Sequence, residues 1–259
     1  MTEKEPIMIE TKDKLIVALD VDDARRALEL HEMLRDCVGT FKIGMQLFTA
    51  AGPEIVRRIV SLGSGLFLDL KYHDIPNTVA MAATEATRLG VSMFNVHAAG
   101  GREMMQRAAD AVAATAAREG IKRPAVLGVT VLTSADQETL QQLGIADEPQ
   151  QVVRRLAKLA AAANLDGVVA SALEIEIIRD AVSDSNFRIV CPGIRSATDV
   201  AHDQRRTMSA GEAIRAGADY LVVGRPILQA EDPVKAARAF RDEIDSAMTN
   251  ALAMNQPSR

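Results

Sequence analysis

The sequence predicts an α/β protein, a single-domain (β/α)8 TIM barrel, and three observations carry the prediction. Eight short apolar or β-branched runs recur along the chain, each followed by a longer segment with helical spacing. Charged residues gather where those runs end: Asp20, Lys42, Asp69 with Lys71, and Arg225. The length, 259 residues, suits one barrel of roughly 250 residues. Strand periodicity alone leaves an open doubly wound sheet in play. The absence of a GxGxxG turn after the first run weakens its dinucleotide-binding form. A barrel brings every strand end to one face, which explains the placement of the charges.

In chain order the runs are Leu15–Leu19, Phe41–Met45, Leu66–Leu70, Met93–His97, Ala125–Leu132, Gly167–Ala170, Arg188–Cys191 and Tyr220–Val223. Their continuous apolar character suits parallel strands covered on both faces. Between them, Asp22–Leu34 starts on an acidic pair that favours the positive end of a helix dipole. Gly52-Pro53 opens the next helix, whose Ile55, Val56, Ile59 and Val60 form one apolar stripe. Arg102–Arg118 is Ala-rich and stops at Gly120, a suitable C-cap. Further helices are expected over Pro149–Ala163, Ala210–Ala216 and Pro233–Met248. Nothing resembles a linker, so residues 1–259 read as one domain with irregular tails over 1–13 and 250–259.

Composition removes several function classes. A net charge of −5 lacks the basic face that nucleic acid requires, and 3% aromatics without Trp leaves no platform for stacking bases. No apolar run approaches the ~20 residues of a membrane span. The first residues are acidic and lack the apolar core of a secretory signal. Cys37 and Cys191 fit no metal or redox spacing, and His31, His73, His97 and His202 form no paired metal motif. The expectation is a cytoplasmic protein with reduced thiols, no metal and no nucleic-acid or membrane partner.

The segment Asp69-Leu70-Lys71-Tyr72-His73-Asp74 carries the most chemistry. Residues two apart on a strand share a face, so Asp69 and Lys71 are expected to point together into the barrel mouth. Lys42, ending the preceding run, can neighbour Asp69, while Asp74 falls in the loop beyond. The expected result is an alternating array of Lys42, Asp69, Lys71 and Asp74. An ammonium flanked by carboxylates is favoured in its charged form, which suits a proton donor better than a base or a Schiff-base nucleophile. One such ion pair at about 4 Å, with an effective dielectric near 20, is worth roughly 4 kcal/mol. A salt-bridge network that merely fixes the strand end would use the same residue types.

These residues sit in DLKYHDIPNT, which resembles the signature of the bacterial orotidine 5'-phosphate decarboxylase family. The resemblance extends over nearly the whole chain, through LIVALD (Leu15–Asp20), FKIG (Phe41–Gly44), NVHAAGG (Asn95–Gly101), GVTVLTS (Gly128–Ser134), PGIR (Pro192–Arg195) and VVGRPI (Val222–Ile227). It implies decarboxylation of orotidine 5'-phosphate to UMP in pyrimidine biosynthesis, with no cofactor and no metal. Lys71 is then the proton donor to C6, Asp69 lies beside the departing carboxylate, and Lys42 holds Asp69 and a ribose hydroxyl. The resemblance also assigns Asp20 to ribose and Thr133 to the pyrimidine, where a helix N-cap is the plainer reading of that threonine. Arg195, Gln204, Gly224 and Arg225 fall to the phosphate, with 194–209 as a closing loop. It further implies a homodimer in which Asp74 and Thr78 complete the neighbouring subunit's site.

Two rivals differ in chemistry. A metal-dependent phosphosugar decarboxylase or aldolase of the keto-gulonate phosphate decarboxylase type shares a DxKxxD strand but looks to an acidic metal ligand where this chain has Lys42. A non-catalytic nucleotide-binding barrel would be expected to have lost a member of the Lys–Asp–Lys–Asp set, and all four are present.

Overall fold

The computed structural model describes residues 11–195 and 208–254. In chain order these form α1 (Thr11–Lys14), β1 (Leu15–Ala18), α2 (Ala24–Leu34), β2 (Thr40–Gly44), α3 (Met45–Ala51), α4 (Pro53–Ser61), β3 (Gly65–Tyr72) and α5 (Pro76–Arg88). They continue with β4 (Met93–His97), α6 (Gly101–Glu119), β5 (Ala125–Val129), α7 (Gln137–Gln142), α8 (Pro149–Ala162), β6 (Gly167–Val169) and α9 (Ile175–Ala181). The last elements are β7 (Arg188–Pro192), α10 (Ala210–Ala216), β8 (Tyr220–Val223), α11 (Arg225–Leu228) and α12 (Pro233–Met254). The eight strands pair in parallel and in order, and β8 returns to β1 through Leu15–Leu221, Ile16–Val222 and Val17–Val223, closing a (β/α)8 barrel.

Strand alternation sorts the core into two layers. Ile16, Ala18, Phe67, Met93, Leu127, Val129, Val190 and Val222 point inward and fill the barrel. Their neighbours Leu15, Val17, Leu66, Leu68, Phe94 and Val96 point outward beneath the helices. With both faces covered, an alternating polar pattern would bury unpaired polar groups, and so the strands read as continuous apolar runs.

Helix boundaries follow local chemistry. Asp23 caps α2 by accepting from the Arg25 N–H at 3.0 Å, which starts the helix at Ala24 rather than at Asp22. Gly120 ends α6 in the left-handed region at φ 64°. Gly52, at φ 66°, separates α4 from α3, a helix that absorbs Met45 from the end of the expected second strand. Strand β3 runs on to Tyr72, beyond the expected Leu70, and β5 stops at Val129, short of Leu132. The short helix α7 lies in a stretch with no assigned element, and Asp136 caps it.

Of the stretches expected to be irregular tails, 1–13 and 250–259, the described residues 11–13 and 250–254 are helical. Thr11–Lys14 form a helical turn, anchored where Thr11 Oγ1 donates to Asp245 and the Gly39 N–H donates to the Lys12 carbonyl at 2.9 Å. At the other end α12 continues to Met254, since no Gly or Pro interrupts the sequence between Pro233 and Pro257. No helix of the described residues is long and apolar enough to cross a membrane.

Phe41 on β2 is fully buried in the outer layer, with the buried His31 ring 4.8 Å away. Phe41→Ala is expected to lower the unfolding free energy by about 3–5 kcal/mol in urea titration, the usual cost of emptying a rigid aromatic site.

Candidate active site

The C-terminal strand ends carry a linear chain of four charges. Lys42, on β2, has a side chain only 9% exposed, and Ala18–Lys42 and Gly44–Asp69 pairing places it between the ends of β1 and β3. Its Nζ lies 3.0 Å from Asp20 Oδ1 and 3.3 Å from Asp69 Oδ2. The other oxygen of Asp69 meets Lys71 Nζ at 2.6 Å. Gly44 keeps space open there, since a Cβ would stand 3.1 Å from Lys42 Nζ.

Asp69 is the electrostatic centre. Burial alone would raise its pKa, but Lys42 and Lys71, with hydrogen bonds from Lys71 and Asn95, outweigh that and hold it below the ordinary carboxylate value. The group is therefore an anion at neutral pH despite a side chain only 14% exposed.

Strand alternation predicts that Asp69 and Lys71 share a face, and they do, but the backbone between them is not regular strand. From Leu68 to Tyr72, β3 advances four residues while β4 advances two, from Phe94 to Val96. The register shift adds an even number of residues, which returns Tyr72 to the outer side with Leu68. Within it Lys71 takes φ 51°, a left-handed conformation. Asn95 of β4 fills the gap: its Oδ1 accepts from the Lys71 N–H at 2.8 Å, and its Nδ2 donates to Asp69 Oδ1 at 2.7 Å. Sequence reasoning passed over Asn95. The available signal was an amide at an inward position of an otherwise apolar strand.

The array also differs at its outer end from the expected Lys42–Asp69–Lys71–Asp74. Within one chain Asp20 joins the network and Asp74 does not: it is exposed, forms no ion pair with a described residue, and accepts from its own neighbour's Ile75 N–H at 2.6 Å. The bulge at Lys71 and the start of α5 at Pro76 turn the loop outward. Thr78, in the first turn of α5, is exposed as well.

Two adjoining cavities open over this chain. One, of about 190 Å³, is lined by the charged Lys42, Asp69 and Lys71, by the apolar Val129, Val131 and Val169, and by Thr133 and Ser134. Asp136, not Thr133, caps the following helix, so capping does not account for Thr133. The second, of about 280 Å³, is bounded by Asp20, Lys42, Arg195, Gly224 and Arg225. Lys42, Asp69, Pro192 and Val222 line both. An anion and a flat, partly apolar group joined by a polar spacer would match this arrangement. Arg225 is exposed and opens the single turn of α11. The Arg195 N–H donates to the Met208 carbonyl at 3.3 Å, which ties together the two ends of the expected closing loop. Gln204 and residues 196–207 lie outside the described residues.

The chain matches the family model described as Orotidine 5'-phosphate decarboxylase / HUMPS family over residues 13–240. It belongs to that family. A relative from Syntrophotalea carbinolica named orotidine 5'-phosphate decarboxylase is 52% identical over 242 residues, covering 93% of this chain and 99% of the relative. One of the same name from Geobacter sulfurreducens is 52% identical over 235 residues, covering 91% of this chain and 97% of the relative. Among solved structures, orotidine 5'-phosphate decarboxylase from Lactobacillus acidophilus superposes with a TM-score of 0.79 at 35% identity, covering 90% of this chain and 99% of that one.

The remaining polar residues of the family member have plainer explanations. The His97 and His73 rings lie against each other at a tilt of 34°, with centroids 5.3 Å apart. Burial first, then the nearby His73 and Lys71, lower the His97 pKa, which favours the neutral ring. No group of three or more His, Cys, Asp or Glu among the described residues could hold a metal. A Cβ at Gly100 would fall 2.2 Å from Met104 Sδ, so the buried Met104 side chain would have to shift to admit one. Gly101 has φ 86°, so the glycine pair answers to backbone and packing demands.

Because the folded-state pKa of Asp69 is depressed, its ionisation stabilises the fold above the unfolded carboxylate value, about 4. That contribution is lost as the pH falls through the folded-state pKa. The stability of wild type relative to Asp69→Asn, measured by denaturant titration, is expected to hold down to about pH 5 and to fall as the pH drops through about 4 and below.

Proposed function

We propose that this chain is a carboxy-lyase that converts orotidine 5'-phosphate to UMP and CO2, a step of pyrimidine biosynthesis. The observation that carries the reading is the Asp20–Lys42–Asp69–Lys71 chain, which ends in an ammonium at a cavity of pyrimidine size. The adjoining cavity with Arg195 and Arg225 supplies cationic side chains for a 5'-phosphate.

The chemistry follows from charge. The C6–carboxylate bond breaks, CO2 departs, and the bonding pair remains on C6 in a ring orbital that the π system cannot delocalise. The Lys71 ammonium stabilises that developing charge and then delivers its proton to C6, leaving a neutral amine that solvent reprotonates. Asp69 fixes the ammonium and, as an anion, stands beside the substrate carboxylate. Lys42 and Asp20 bind the ribose hydroxyls, Thr133 contacts the ring, and Arg195, Gln204, Gly224 and Arg225 hold the phosphate. Binding energy from the phosphate and ribose, which do not react, thereby organises the reacting end. The reading requires no cofactor and no metal.

The same family name covers a second chemistry, in which a divalent cation stabilises an enediolate. In this chain Lys42 Nζ already lies between the carboxylates of Asp20 and Asp69, at 3.0 and 3.3 Å, where a cation would otherwise bind. The fixed charge favours the metal-free reaction. Cys37 and Cys191 are both buried free thiols, in keeping with a reducing, cytoplasmic setting.

Wild type should turn over orotidine 5'-phosphate in EDTA, followed by the change in the orotate chromophore, at a rate that magnesium does not alter. Lys71→Ala should lose about 10³-fold in kcat/KM, the value of one close charge interaction. Binding of UMP without turnover by wild type would turn the assignment to a nucleotide-binding barrel.

The exposed Asp74 and Thr78 support a homodimer in which each serves the partner's cavity. Mixing inactive Lys71→Ala with inactive Asp74→Asn should then restore about a quarter of wild-type activity. Half the dimers would be mixed, each with one intact site. Mixtures that stay inactive after subunit exchange would place Asp74 in its own chain's site.

A further inference from the structure

Among the described residues other than glycine, only Lys71 and Asn164 have positive φ. Such a conformation costs about 1–3 kcal/mol and persists only where the surroundings hold it. At Lys71 the β3–β4 register is interrupted, and the Lys71 N–H donates to the Asn95 side chain instead. The same carboxamide donates to Asp69 Oδ1, the oxygen that also contacts Lys71 Nζ. One planar amide therefore holds both the backbone of the ammonium residue and the carboxylate that aims the ammonium. Asn95 is completely buried, and its donor and acceptor are engaged on different residues. Reversing the amide would set its N–H₂ against the Lys71 N–H and its carbonyl against an anion, so one orientation is enforced.

We infer that Asn95 is a positioning residue that fixes Lys71 and Asp69 in their reactive geometry. The inference rests on the reading of Lys71 as proton donor. A side chain needed only to fill the barrel would have no reason to be an amide, because the inward-facing residues on the barrel-interior side of it are apolar: Met93 on the same strand, and Phe67 and Leu127 on the adjacent ones. An aliphatic residue at 95 would leave the Lys71 N–H unpaired and let its φ relax towards ordinary strand, swinging the ammonium off Asp69.

The test uses Asn95→Ala and Asn95→Asp, with folding checked by thermal melting. In Asn95→Ala, kcat should fall at least 30-fold while KM stays within about threefold, because the ribose and phosphate contacts are untouched. The Asp69 carboxyl, followed by carbon NMR, should titrate at higher pH once it has lost a donor, with Lys42 and Lys71 still present. In Asn95→Asp, activity should be low at neutral pH and partly recover on acidification, as the new carboxyl gains a proton that replaces the amide donor. Asn95→Ala should show no such recovery. A kcat within threefold of wild type, or an Asp69 titration unchanged in Asn95→Ala, would overturn the inference, even if the melting temperature fell. Wild type that fails to process orotidine 5'-phosphate would refute the functional reading instead, and the Asp69 titration would still decide the role of Asn95.

Discussion

A carboxylate removed from water needs compensation, and at Asp69 that compensation organises the mouth of the barrel. Two lysines and a buried amide face its two oxygens, and between them they outweigh the cost of burial. Loss of any one partner would leave a buried charge short of its hydrogen bonds, which is far costlier than loss of an exposed ion pair. Lys42, Asp69, Lys71 and Asn95 are therefore one unit energetically, although they come from three strands.

Barrel closure makes that unit possible. Lys42 reaches both Asp20 and Asp69 because β2 lies between β1 and β3 in a register that sets their ends side by side. Pairing of β8 with β1 brings Gly224 and Arg225, more than two hundred residues later, to the same rim as Asp20. The apolar inner layer beneath this polar rim keeps the effective dielectric low, so fixed charges there act more strongly than they would in water.

The bulge in β3 shows a local rule broken at the site. Regular alternation would suffice to turn Lys71 inward, yet the chain adopts an unfavourable backbone angle there and holds it with Asn95. Strain of this kind persists where the surroundings over-determine it, and the surroundings here are a buried anion and a closed sheet.

The sequence by itself determined the eight strands and their order, six of the helices, the barrel, and the gathering of charge at the strand ends. These depend on periodicity and on residue type, which a linear chain displays directly. It also displayed Asp69 and Lys71 as a same-face pair and Lys42 as a neighbour, because strand alternation is local and β2 precedes β3. Only the tertiary structure decided that Asp20 completes the charge chain within one chain while Asp74 turns outward, and that Asn95 holds Lys71. Those outcomes depend on inter-strand register and on one positive φ, and neither leaves a periodic trace in the order of the residues.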